Sequence, residues 1–268
     1  MLRVKNFKRL TTLISVCALP LLLSHCARNP VPMLTNKSKA SIAKVNTSQV
    51  DRIVLNGHMH INLNTKLHHP ELTFRIPHAH TVYANIHIKH HTLYINNRLN
   101  NNMPNHYNLT VGKHVRLLEL HGNVSVTAHH LDTKELTIID ASGGRVNLDG
   151  QIDAQRIYAS QHSRLAVAWV NSPLLVVYAN DHAHLKLAGA TKEFFVHQTD
   201  QALLNAQFLR ANTVTISSNG QSIARLMPLN SFQGFAHQDS TIYLYHRPTH
   251  QNKHTWARAN IFMKSFRP

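Results

Sequence analysis

Between about Leu117 and Tyr245 one short pattern recurs, and its period limits the possible folds more than any other feature of the chain. Each copy has an apolar strand, a polar turn and a second strand with apolar residues at i and i+2. The copies read LLELH-GN-VSV, LTIID-ASGGR-VNL, RIYAS-QHSR-LAV, LLVVY-ANDHAH-LKL, FFVH-QTDQAL-LNA, TVTIS-SNGQS-IARL and GFAH-QDST-IYLY. The first apolar residues after the turns are Val124, Val146, Leu165, Leu185, Leu204, Ile223 and Ile242, spaced 22, 19, 20, 19, 19 and 19 residues apart. Side chains at i and i+2 share one face of a strand. A helix would need i, i+3 and i+4, which is largely missing. A unit this short cannot bury a core alone, so the copies must stack and share one.

The fold expected is all-β: a parallel β-helix-like solenoid with about 20 residues per coil. Leu131, Ile152, Val170, Ala190, Phe208 and Leu229 follow the i, i+2 pairs and are expected to line a third side. Gly143, Gly144, Asn180, Asn219 and Gly220 fall in the turns, where left-handed backbone is open to Gly and tolerated by Asn. Evenly spaced hairpins of an antiparallel sandwich fit the strand spacing too. Alignment of whole copies, and not of single strands, favours the solenoid.

The N-terminus reads as an address. Arg3, Lys5, Lys8 and Arg9 precede an apolar run from Leu10 to Leu23, too short to span a bilayer and suited to a signal peptide over residues 1–25. Leu23-Ser24-His25-Cys26 then resembles the bacterial lipobox, with His25 where a small residue is usual. The reading is lipidation at Cys26; ordinary signal cleavage just after it is the alternative. Cys17 lies inside the apolar run and Cys26 is the second of only two cysteines, so no disulfide staples the folded part. Ala27 stands where lipoproteins retained in the inner membrane commonly carry Asp, which implies the outer membrane. Residues 26–49 read as the acylated Cys and a flexible tether.

Residues 50–245 form the expected solenoid, with 50–115 as an irregular N-terminal part and 116–245 as the regular repeats. The irregular part alternates apolar residues in DRIVLNGHMHINLN, LTFRI and HTLYINN, and Asn56-Gly57 is a strong hairpin signal. It is either the same solenoid with uneven turns or a unit covering its first edge. Residues 246–268 are basic, and Trp256, Ile261, Phe262 and Phe266 suit a C-terminal cap or tail.

Opened by DRIVLNGHMHINLN, continued by LTFRI and HTLYINN, and cycling through coils with small polar turns, residues 50–245 resemble the bacterial head GIN domain, an autotransporter-adhesin-like family. The resemblance implies a right-handed β-helical solenoid in an exported protein, often a lipoprotein. It brings no catalytic residues. The family's Gly-Ser-Gly turns are approached only by Ala141-Ser142-Gly143-Gly144 and Ser217-Ser218-Asn219-Gly220.

Chemistry-bearing residues are sparse. Asp149, Asp153 and Arg156 are the best candidates for the paired carboxylates with which a β-helix cleaves polysaccharide. The other acids, including Asp140, Asp181, Asp200 and Asp239, are expected to cap turn N–H groups. No P-loop, H-E-x-x-H, G-x-S-x-G or C-x-x-C motif is present. Histidine is abundant, with 23 in the chain. It occurs in three i, i+2 pairs: His58 with His60, His78 with His80, and His182 with His184. Such pairs share a strand face and suit metal ligands where others converge; the alternative is polar surface. Histidine in general gains charge below about pH 6, which predicts firmer contact with anionic surfaces in acid.

Lys plus Arg outnumber Asp plus Glu by 28 to 12, for a net charge of +16. Anionic partners are therefore favoured, but helix-turn-helix, zinc-finger and RNP patterns are missing, so nucleic acid is not expected. The function expected is a non-catalytic outer-membrane lipoprotein, adhesin-like or scaffolding. It would be held to the membrane by its lipid and bind an anionic polymer or envelope protein, with no cofactor. A polysaccharide-acting enzyme and a His-rich metal-binding lipoprotein are the alternatives.

Overall fold

The computed structural model describes residues 41–65, 69–76, 84–97 and 105–264. The leader and Cys26 lie outside the described residues, as do two of the candidate metal ligands, His78 and His80, and Phe266 of the expected cap. The described residues contain strands and turns, and no helix. Five long strands form the regular body: β7 (Leu117–Ser142), β8 (Arg145–Ala159), β9 (Arg164–Ala179), β10 (His184–Gln198) and β11 (Leu203–Ser218), followed by β12 (Ile223–Ala236). They pair in parallel and in chain order, the expected solenoid.

Each strand is long because it bends through a corner without breaking. Face one carries Val146–Leu148 and its equivalents; face two carries Arg156–Ala159 and its equivalents. The register slips at the corner between them, for example between Leu148 and Ile152. A tight turn then leads from face two to face one of the next coil. On face one a single inward column runs Ile61, Val126, Val146, Leu165, Leu185, Leu204, Ala224, Ile242 and Ile261. All but the last are buried, and each larger side chain contributes roughly 1.5–3 kcal/mol by leaving water.

Two members of the sequence alignment shift. Val124 pairs with Met59, and it is Val126 that meets Val146. Both residues are buried, so alternation alone cannot tell them apart. Ile223 is half-exposed and Ala224 takes the inward position; a slip of one residue turns a strand's side chains to the other face. The corner corrects the expected third side in a similar way. Leu131, Ile152 and Val170 are buried, but Phe208 is 56% exposed and Leu209 is buried instead. Ala190 is exposed, Leu229 only half-buried, and Gly189 occupies the corner opposite Val170.

The turns depart from the glycine and asparagine rule. Gln161, Asp181, Asp200, Gly220, Gln238 and Ala257 hold the left-handed conformation, with φ between 57° and 73°. Stacking accounts for it: N–H groups of His182, Gln201, Gln221 and Asp239 donate to the carbonyls of Gln161, Asp181, Asp200 and Gly220 one coil earlier. The ladder continues through the turn, and its hydrogen bonds offset the local strain.

The N-terminal part is built out of chain order. β2 (Arg52–Thr65) lies parallel between β7 on one side and both β5 (Thr92–Asn97) and β6 (Asn105–Val111) on the other. Three antiparallel strands then cover the ladder: β4 (Ala84–Lys89) on β5, β3 (Glu71–Ile76) on β6, and β1 (Ser41–Asn46) on β3. The tether therefore gives way to a strand before residue 49. Thr47 is buried and donates its hydroxyl to the Thr110 carbonyl at 2.6 Å. Asn56-Gly57 is not a hairpin. Both of its flanks run on in one strand, and Gly57 (φ +114°) forms a corner stacked on Gly122 and Asn97. A Cβ on Gly57 would overlap the Asn97 carbonyl. The two-residue turn signal marks the bend, but here parallel neighbours on both sides keep the strand from folding back.

The C-terminal segment continues the ladder. β13 (Thr241–Leu244) and β14 (His250–Thr255) both pair in parallel with β12, and β15 (Asn260–Met263) with β13. It covers the end as a last rung and does not fold across it.

Candidate functional site

The candidate enzyme residues are not gathered into a linked group. Asp149 and Arg156 are exposed, and Asp153 is half-buried. Among the described residues the ion pairs are Lys44–Glu71, Lys113–Asp132, Glu119–His121 and Asp239–Arg258, so Asp149, Asp153 and Arg156 do not pair. Asp181 and Asp200 act as turn caps: Asp181 Oδ2 accepts the Gln161 N–H at 2.9 Å. The Thr199 hydroxyl donates to Asp200 at 2.6 Å and, with the Asp181 N–H, holds that carboxyl below its usual range. Asp140 is the exception, being buried on the inward side of face two. Burial pushes its carboxyl up, opposed by the Ser142 hydroxyl and N–H that donate to Oδ1 at 2.7 and 3.1 Å.

The candidate metal ligands are spread over the ladder. His58 and His60 lie on β2, in the N-terminal part, while His182 and His184 lie at the turn that opens β10. His78 and His80 fall outside the described residues. Among the described residues no group of three or more His, Cys, Asp or Glu is placed to hold a metal ion. Parallel register sets His106 beside His60 and His162 beside His182, so each pair gains a histidine neighbour, but none of these groupings is placed to hold a metal ion among the described residues. The histidines stack between coils instead. His182 lies flat on His162 at 5.0 Å, and His60 on His106 at the same distance. Burial, then the neighbouring His106 and His58, lower the pKa of His60.

What the sequence reading missed is the outward side of face two. Because strands alternate, the residue between two buried ones points to solvent, and parallel register stacks such residues in a column. One column reads Tyr158, Tyr178, His197, Ser217, Phe235 and His254. Tyr158 and Tyr178 are parallel to within 2° with centroids 5.1 Å apart, and each is 38% exposed. His197 follows at 6.1 Å. Phe195 and Leu174, each 39% exposed, flank the column on the same face. A second group, Trp169 and Phe208, projects from the corner. The signal was present in RIYAS, LLVVY and FFVH, at the outward positions, which the core alignment passes over.

This surface sets exposed rings in line with the polar His197, Ser217 and His254. Parallel stacked rings offer π-faces and edges at a spacing set by the backbone. It can hold an extended ligand.

The family model described as "Putative auto-transporter adhesin, head GIN domain" matches residues 83–248. Solved structures share the fold. A "putative adhesin" from Bacteroides fragilis superposes with a TM-score of 0.61 at 17% identity, over 84% of this chain and 97% of that one. A "Putative lipid binding protein" from Parabacteroides distasonis gives 0.71 at 12% identity, over 84% and 96%. A "putative adhesin" from the same species gives 0.67 at 12%, over 84% and 97%. No curated protein sequence matches the chain.

Proposed function

Because the chain belongs to the head GIN domain family, we propose that it is a non-catalytic envelope binding module that holds a polysaccharide against face two. Acylation at Cys26 anchors it to the outer membrane, and the solenoid presents its faces to the polymer. The observation that carries this reading is the exposed ring column Tyr158–Tyr178–His197, whose rings repeat along the ladder as sugar rings repeat along a glycan. Pyranose rings can pack along the exposed edges of the stacked tyrosines, and the scale taken for each contact is that of an aromatic pair, about 0.5–1.5 kcal/mol.

The test is binding of soluble polysaccharides by the full chain and by Tyr158→Ala and Tyr178→Ala. Each substitution is expected to weaken binding roughly three- to tenfold, while Trp169→Ala on the corner leaves it unchanged. Vesicles belong in the panel, since one structural neighbour carries a lipid-binding name. Tight binding of vesicles alone, or no effect of either tyrosine, overturns the reading. The anchor has its own check: Cys26→Ser is expected to move the protein from the membrane fraction to the soluble one.

A further inference from the structure

Face one carries a feature that packing does not explain. Its outward column places Arg145 beside Arg164, and Arg164 beside His184, in successive coils. Adjacent strands are about 4.8 Å apart, so these side chains are nearest neighbours. Like charges directly opposite on neighbouring strands destabilise a sheet. Sheets ordinarily separate them or interleave carboxylates. Here all three are exposed, and among the described residues neither arginine is in an ion pair. Lys186 follows His184 on the same outward side, also exposed and without an ion pair. The stacked pair His162 and His182 continues the group into the turn. The carboxylates of those turns, Asp181 and Asp200, are occupied by backbone N–H groups. Asp149, four residues beyond Arg145, pairs with nothing charged.

We propose that Arg145, Arg164 and Lys186, with the polar His184 between them, form a cation strip that binds an acidic polysaccharide running along the ladder. The proposal rests on the polysaccharide reading above and adds the class of polymer. The strip is narrow and one-dimensional, and its charges repeat at the spacing of the coils, which is near the length of one sugar unit. A linear glycan with a carboxylate or sulfate on its sugars matches that pattern. A DNA duplex is bound by a broad set of phosphate contacts, typically about 6–10. Single-stranded nucleic acid needs stacking rings among the cations; Tyr158 and Tyr178 lie on face two, and the stacked rings of face one, Tyr243 and Phe262, lie several coils beyond Arg145 and Arg164. A membrane needs apolar side chains beside the cations; Arg145 and Arg164 have Ser125 and Asn147 or Ala166 as outward neighbours, and apolar residues enter the column only beyond His184, at the half-buried Leu203 and Ile223.

The experiment measures binding of polygalacturonate and dextran sulfate, with neutral dextran for comparison, at several salt concentrations. The strip variant is Arg145→Thr/Arg164→Thr, and Lys134→Thr/Lys192→Thr, at two other exposed lysines, removes the same charge elsewhere. The strip variant is expected to lose roughly tenfold or more of its affinity for the acidic polymers and to show a shallower salt dependence. The control is expected to change affinity little. Thermal stability of the strip variant is expected to hold or rise, since like charges are removed. Equal losses in both variants would reduce the effect to net charge and overturn the proposal. So would tighter binding of a single-stranded oligonucleotide or anionic vesicles than of polygalacturonate at the same salt. Neutral and acidic glycans bound alike through Tyr158 and Tyr178 would leave the polysaccharide reading standing and remove this one. Acidic binding that depends on the arginines but not on the tyrosines would do the reverse.

Discussion

At the N-terminal end of the ladder, antiparallel strands lie across the parallel ones: β4 on β5, β3 on β6 and β1 on β3. At the C-terminal end the strands stay parallel to the last, and the core stops through a change of side chains. β14 places Gln251 and Lys253 at the register positions that carry Phe232 and Gly234 in β12. Both are exposed, and a further coil would have to bury them. Arg258 clasps Asp239 of the previous turn through Nε and Nη2 at 2.6 and 2.9 Å. An open edge is a template for another chain. The first end covers the parallel edge by antiparallel pairing, which leaves β1 and β4 outermost and uses the strands β1 to β6. The second blunts it with inward polar residues and a basic edge, which takes one short segment. Pairing needs a reversal of chain direction and therefore turns and loops; charge needs only substitutions within a repeat.

The largest expected effect tests the packing behind the N-terminal end. Ile53 is fully buried in β2 between β5 and β7. Ile53→Ala is expected to cost about 2–5 kcal/mol in urea unfolding, whereas Ile261→Ala on the terminal rung is expected to cost less than about 1 kcal/mol. Equal costs would mean that the two ends are packed alike.

Backbone conformation gives a second contrast. Gly57→Ala at the first end meets both a positive φ and the Asn97 carbonyl, and is expected to lower stability by roughly 2–4 kcal/mol. Ala257→Gly at the second end relieves a left-handed alanine (φ 57°) and is expected to raise stability by up to roughly 1 kcal/mol. Denaturation midpoints of the two variants should move in opposite directions.

Lys253→Val sharpens the account of the C-terminal end. It restores an apolar inward position in β14, changes stability little, and is expected to promote end-to-end association seen by sedimentation velocity. A strictly monomeric variant would show that the lysine does not guard the edge.

The smallest effect is in pH. The folded pKa of His60 lies below its ordinary value of about 6.5 because of burial, His106 and His58. The unfolded chain therefore binds more protons, and stability falls as pH drops from about 6.5 to the lowered folded value. Amide protection factors of β2, taken relative to intrinsic exchange at each pH, should fall over that interval in the native chain and less so in His60→Gln, while those of β12 change little.

The period of the repeats was legible because burial writes itself into the chain as alternation. Val146, Leu165 and Leu185 occupy one stack, as their spacing predicts. Local ambiguity begins wherever two neighbouring apolar residues compete for one inward place, as Val124 does with Val126 and Ile223 with Ala224. The ring column was harder to see. Its members are separated by about one coil in sequence, and their outward role exists only once register is set. The cation strip has the same origin: nothing in the spacing of Arg145, Arg164 and His184 announces neighbours unless the coils are already aligned.

Amino-acid order by itself determined that this chain would stack parallel strands and where each coil turns, because those choices follow from which side chains avoid water within a single coil. Tertiary structure alone decided that β2 would slip between β6 and β7, that Asn56-Gly57 would bend a strand and not end it, and which outward residues would touch. Those outcomes depend on partners far away in the chain, whose backbone groups compete for the same hydrogen bonds.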